Sequence, residues 1–104
     1  MEREALLQRI KEVVRGFDPE AEIILYGSRA RGDATKESDW DLLVLYTGPE
    51  NKSFEQELCD ALYDVELEAD EVVTPIIHDR DYWRRPLTQA MPFYREVARD
   101  GVTI

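Results

Sequence analysis

"LYGSRARGDATKESDWDLLVLY", residues 25–46, decides how the chain is read. An apolar run ends at Tyr26, and Gly27 then allows an unusual turn and the close approach of a ligand. Ser28 suits an N-cap and opens a short helix through Arg31. The first amides of such a helix favour an anion, and Arg29 and Arg31 stand where they could add charge. "GDATKES" (32–38) is loop chemistry, and "DWDLLVLY" (39–46) passes from polar to continuously apolar, as a strand buried on both faces does. Asp39 and Asp41 are two apart on that strand, so their side chains emerge on one face. Side by side, two ionised carboxylates repel unless a cation lies between them. Such oxygen ligands suit Mg²⁺, which takes one or two carboxylates with substrate phosphates and water. An anion cradle facing paired carboxylates is the outline of a phosphoryl- or nucleotidyl-transfer centre. Taken singly, a Gly-Ser after a strand is most often a turn, and an Asp at a strand start is most often solvated. Joined in this order they are far more specific.

Working outward, Leu6, Leu7, Ile10, Val13 and Val14 recur at helical spacing and predict an amphipathic helix over 2–15, with Gly16 as its stop. "EIILY" (22–26) has strand length and β-branched character. Phe54, Leu58, Leu62, Val65 and Ala69 step by three or four and give a second helix with one buried stripe. Glu55, Glu57, Asp60, Asp64, Glu66 and Glu68 line the rest of it. Alternation in "VELEAD" also allows an early strand there. "EVVTPII" (71–77) is the third strand, and Pro75 points to an edge or a bulge. "HDRDYWRRP" reads as a connection, and a last helix runs from near Pro92 to Gly101. The order α-β-α-β-α-β-α predicts an α/β (α+β) fold, a small mixed sheet with helices packed mainly on one face.

At 104 residues the chain is expected to form one domain, 1–104. Its 43% hydrophobic and 35% charged content fits a globular rather than a disordered protein. No run approaches the roughly 18–20 apolar residues that span a bilayer. "MEREALLQRIKEVV" has no signal-peptide core, and Cys59, the only cysteine, cannot form an internal disulfide. Both lead to a cytoplasmic expectation. The net charge of −10 argues against broad binding to nucleic acid or anionic membrane. That charge is uneven: residues 37–81 hold two bases against fourteen acids, whereas residues 1–36 hold seven of each. A small phosphorylated ligand held through metal ions remains compatible with this distribution.

Gly27-Ser28, ten residues from Arg29 to Ser38, then Asp39-Trp40-Asp41 resembles the signature of the polymerase-beta-like nucleotidyltransferases, specifically the minimal (MNT) type seen in MntA-like antitoxins. The resemblance implies that Gly27 and Ser28 hold nucleotide phosphates with help from Arg29 or Arg31. It also implies that Asp39 and Asp41 ligate Mg²⁺, with two ions clamping the attacking and departing oxygens. Active members carry a third carboxylate on the next strand, and Glu71 in "DEVVT" is the best match. Asp70 would face the opposite way, and "VTPII" has no acid. Among the remaining residues, His78 reads as a surface or capping residue and Trp40 as core. Trp83 and Tyr82 read as packing over the sheet or meeting a partner, Cys59 as inert beside the buried stripe, and Lys36 as solvated.

Two functions follow. One is an enzyme transferring a nucleoside monophosphate, AMP from ATP, to a hydroxyl of a protein or small molecule, by positioning and charge stabilisation. The resemblance implies an antitoxin role beside a helical HEPN-type toxin. The alternative is a weak or inactive MNT module that neutralises its partner by masking it, for which an acidic surface against a basic toxin makes electrostatic sense. With 104 residues there is little room for an acceptor domain, so a partner chain or a second copy is expected to supply the acceptor.

Overall fold

The computed structural model describes residues 1–104. The chain runs α1 (Arg3–Phe17), β1 (Glu22–Tyr26), α2 (Ser28–Arg31), β2 (Trp40–Tyr46) and α3 (Lys52–Ala69). It continues through β3 (Val73–Asp79), α4 (Arg80–Arg84), α5 (Pro86–Gln89), α6 (Pro92–Asp100) and β4 (Val102–Thr103). The four strands form one mixed sheet in the order β3-β2-β1-β4. Its centre is β2, antiparallel to β1 with Tyr26 opposite Asp41, and parallel to β3 with Asp41 opposite Thr74.

From Leu42 onward strand β2 is continuously apolar because it is central and covered on both sides. Trp40, Leu42, Val44 and Tyr46 join the 16-residue core under α1 and α3. Leu43 and Leu45 belong to a four-residue cluster on the other face, with Tyr26 and Val97. That imbalance bears out the expectation of helices mainly on one face. Helix α1 contributes Leu6, Ile10 and Val14, and α3 contributes Leu58, Leu62, Val65 and Ala69, all buried. Each large side chain removed from water in this way is worth roughly 1.5–3 kcal/mol. Asn51 caps α3 by accepting the Phe54 amide at 3.1 Å.

Several boundaries move from their expected places. Helix α1 passes through Gly16 to Phe17. Helix α3 starts at Lys52 and ends on Asp70, which takes the left-handed conformation at φ 53°. The third strand therefore begins at Val73 rather than at residue 71, and Glu71 lies in the turn before it. Pro75 does sit on an edge, since β3 has no neighbour on its outer side. The expected connection after the strand coils into α4 and α5, with Asp79 capping α4 through the Tyr82 amide. A two-residue strand, β4, closes the other edge against β1.

Candidate functional site

The site assembles where β1 ends beside the start of β2. Gly27 has φ 72° and ψ −159°, a combination open essentially to glycine alone. It serves as the N-cap of α2, and the Ala30 and Arg31 amides donate to its carbonyl at 3.1 and 3.0 Å. Ser28, expected as that cap, is instead the first helical residue. The antiparallel register sets Tyr26 opposite Asp41, which brings Gly27 directly against the Asp41 carboxylate. A β-carbon on Gly27 would collide with Asp41 Oδ2. The backbone turn and the carboxylate are thus in contact, and only a glycine leaves room for both.

Asp39 and Asp41 lie on the sheet face opposite α1 and α3. Asp39 is exposed, with Oδ2 3.5 Å from Thr74 Oγ1, while Asp41 is half-buried. Burial pushes the Asp41 carboxyl above its ordinary value, the Asp39 and Glu96 charges add to this, and Arg31 opposes it. The same face holds Tyr26, whose phenol is pushed up to about 12, first by burial and then by Asp41 and Glu96.

The two arginines are already engaged. Arg29 Nε and Nη2 donate to the Ser38 carbonyl at 3.3 and 3.0 Å, and Nη2 also reaches the Lys36 carbonyl at 3.5 Å. Its guanidinium lies 4.4 Å from the centre of the Trp40 ring. Arg31 bonds Asp33 and Asp100, each at 3.2 Å. Glu71 accepts the Trp40 indole N–H at 3.2 Å and stands 3.6 Å from Arg29 Nη2. The structure therefore brings Asp39 and Asp41 together with Gly27, and it sets Glu71 with Trp40 and Arg29 on the other side of the sheet. No group of three His, Cys, Asp or Glu side chains converges to hold a metal ion.

Trp40 is core and Trp83 packs against Phe93 and Tyr94, as their patterns suggested. His78 stacks on Tyr82 with centroids 3.8 Å apart, and burial lowers its pKa. Cys59 is half-buried and free, beside a recess of 330 Å³ formed with Lys52, Glu55, Gln56, Pro75 and Ile77. That recess lies between α3 and β3, and neither Gly27 nor the two aspartates line it. Thr74 and Glu96 were not anticipated as neighbours of the pair. Thr74 follows only from the β2–β3 register, and Glu96 only from the folding of α6 back over β1.

The family model for a nucleotidyltransferase domain matches residues 7–97. This chain belongs to that family. No curated protein matches it. Solved structures with the same fold include a toxin–antitoxin with AMP-PNP (22% identity, TM-score 0.63, covering 92% of this chain and 69% of that one). Another is the toxin–antitoxin MntA-HpeT carrying a tyrosine-to-alanine mutation (23%, 0.62, 94% and 70%). A third is MntA-HpeT with two aspartates changed to glutamate (20%, 0.61, 92% and 69%). At these identities the likeness concerns the fold, which is the one the resemblance to the nucleotidyltransferases implied.

Proposed function

We propose that this chain is the nucleotidyltransferase antitoxin of a toxin–antitoxin pair, moving AMP from ATP onto a hydroxyl of a protein partner. The observation that carries the reading is the contact of the Gly27 backbone with Asp41, which joins a side-chain-free turn to a carboxylate pair. In the reaction the acceptor oxygen bonds to the α-phosphorus, the bond to the β-phosphate bridging oxygen breaks, and pyrophosphate leaves. The hydroxyl proton passes to a base or to solvent. Asp39 and Asp41 fit a divalent cation such as Mg²⁺, since they place two like charges on one face, with Asp41 raised first by burial and then by the Asp39 charge. When bound, the ion supplies charge neutralisation for the phosphates and the departing pyrophosphate. Gly27 and Ser28 take the phosphate side, at the start of α2.

The exposure of Asp39 supports an acceptor brought by a second chain. The matching toxin–antitoxin structures support a protein as that chain, a helical HEPN-type toxin in this reading. The acidic face of α3, with exposed Glu57, Asp60, Asp64 and Glu68, is suited to a basic partner. One observation favours the second reading, a module that only masks its partner: no third acid joins Asp39 and Asp41. The two are separated with ATP labelled at the α- or the γ-phosphate, incubated with Mg²⁺, the chain and a protein extract. The enzyme reading predicts α-label on protein, no γ-label, and loss of both label and pyrophosphate release in Asp39→Asn/Asp41→Asn. Label arriving from the γ-phosphate would refute nucleotidyl transfer.

A further inference from the structure

Glu71 and Arg29 form a strap behind the carboxylate pair. The Arg29 guanidinium grips the Ser38 carbonyl, one residue before Asp39, and lies over the ring of Trp40, between the two aspartates. Arg3 of α1 reaches the same ring at 5.4 Å and donates to the Arg29 carbonyl at 3.2 Å. Glu71 joins both components, accepting the Trp40 indole N–H at 3.2 Å and standing 3.6 Å from Arg29. Its own place is fixed as well: the Glu71 amide donates to the Glu66 carbonyl at 3.3 Å, and the next residue, Val72, accepts the Trp40 amide at 2.8 Å. The Arg29 side chain is only 14% exposed and that of Glu71 25%, so the pair is screened less than a surface ion pair. Arg29 sits in α2, which Gly27 opens, whereas Trp40 sits in β2. A single carboxylate on the turn before β3 thereby ties the Gly-Ser turn to the strand that carries Asp39 and Asp41.

We infer that Glu71 is a positioning residue, which fixes the spacing between the Gly27 turn and the Asp39–Asp41 pair through Arg29 and Trp40. Bidentate use of the Ser38 carbonyl requires the planar fork of arginine, and the indole N–H requires an acceptor of carboxylate or amide type. The functional half of this inference rests on the nucleotide-binding reading above, and its structural half does not.

Two measurements test it on the full chain. The first is amide hydrogen exchange over residues 32–41 without any ligand, in wild type, Glu71→Gln, Glu71→Ala and Arg29→Lys. The account predicts lost protection in Glu71→Ala and Arg29→Lys, a smaller loss in Glu71→Gln, and unchanged protection in α3. Unchanged protection of 32–41 in all three variants overturns the inference. The second is titration with Mg²⁺ and a non-hydrolysable ATP analogue. Glu71→Ala should weaken binding by about 10- to 100-fold, the range found when groups that orient a ligand's contacts are removed. In the Asp39→Asn background the same change should cost less, because part of what Glu71 positions is already lost. Full affinity in Glu71→Ala despite lost protection would make the strap structural only and overturn the positioning role. Equal loss of Mg²⁺ dependence in Glu71→Gln and Glu71→Ala, with protection intact, would make Glu71 a ligand instead. A wild type that binds no nucleotide overturns the nucleotide reading, and the exchange experiment still decides whether Glu71 holds the loop.

Discussion

Replacing Gly27 by alanine should damage the fold and the candidate site together. The backbone at φ 72° and ψ −159° lies in a region that costs a residue with a side chain on the order of 1–3 kcal/mol. The added β-carbon also meets Asp41 Oδ2, so the Asp41 side chain must leave its rotamer at about 0.5–1.5 kcal/mol more. The sum is about 1.5–4.5 kcal/mol, or a fall in Tm of roughly 7–20 °C for a chain of this size. Gly48→Ala is the control, since Gly48 has φ 88° but nothing within 4 Å of a β-carbon. It should carry backbone strain alone, about 1–2 kcal/mol. Urea unfolding measures both stabilities, and Mg²⁺-nucleotide titration measures the site. Gly27→Ala should be the less stable variant and should lose binding, while Gly48→Ala keeps it. Equal stability losses with binding intact in both would refute the contact between Gly27 and Asp41 as the organising feature of the site.

Other expectations follow from single contacts. Asp100 is held near 2 from an ordinary 3.8, chiefly by its bond from Arg99 and then by the one from Arg31, against some burial. A depressed carboxyl stabilises the fold above its unfolded value and loses that contribution as pH falls from 3.8 toward about 2. Acid unfolding followed by circular dichroism should therefore be shallower in Asp100→Asn than in wild type across that window. Tyr26 and Tyr46 are raised to about 12, in both cases first by burial, so their stabilisation is complete below 10 and is lost between 10 and about 12. Phenolate absorbance should show a late titrating class that Tyr46→Phe and Tyr26→Phe each reduce. Asp70 ends α3 at φ 53°, where glycine is unstrained, so Asp70→Gly should raise stability by up to about 1 kcal/mol in urea unfolding.

The long helices α1 and α3 and the central strand were legible because their signals are local. The stripe Leu58, Leu62, Val65, Ala69 and the apolar run of β2 report which faces are buried wherever the chain goes. The start of β3 was not legible, because the acid-rich stretch before it alternates like a strand and gives no sign that Asp70 will adopt a left-handed cap. That two-residue difference takes Glu71 out of the ladder and into the turn, where Trp40 and Arg29 meet it. The spacing of Gly27 and the aspartates pointed to one site, but their direct contact was not legible, because it depends on the antiparallel register that sets Tyr26 opposite Asp41. The engagements of Arg29 and Arg31 were invisible for a different reason. Ser38 lies across a loop and Asp100 is 69 positions from Arg31, so neither leaves a local pattern. Two residues of β4 are likewise too few to carry a period.

The most direct test of the account is calorimetric titration of the chain with ATP, with and without Mg²⁺, on wild type and Asp39→Asn/Asp41→Asn. The account predicts Mg²⁺-dependent binding to wild type that disappears in the double variant while the fold is retained. Binding of equal strength in the folded double variant, or none in the folded wild type, would contradict a nucleotide site built on Gly27, Asp39 and Asp41.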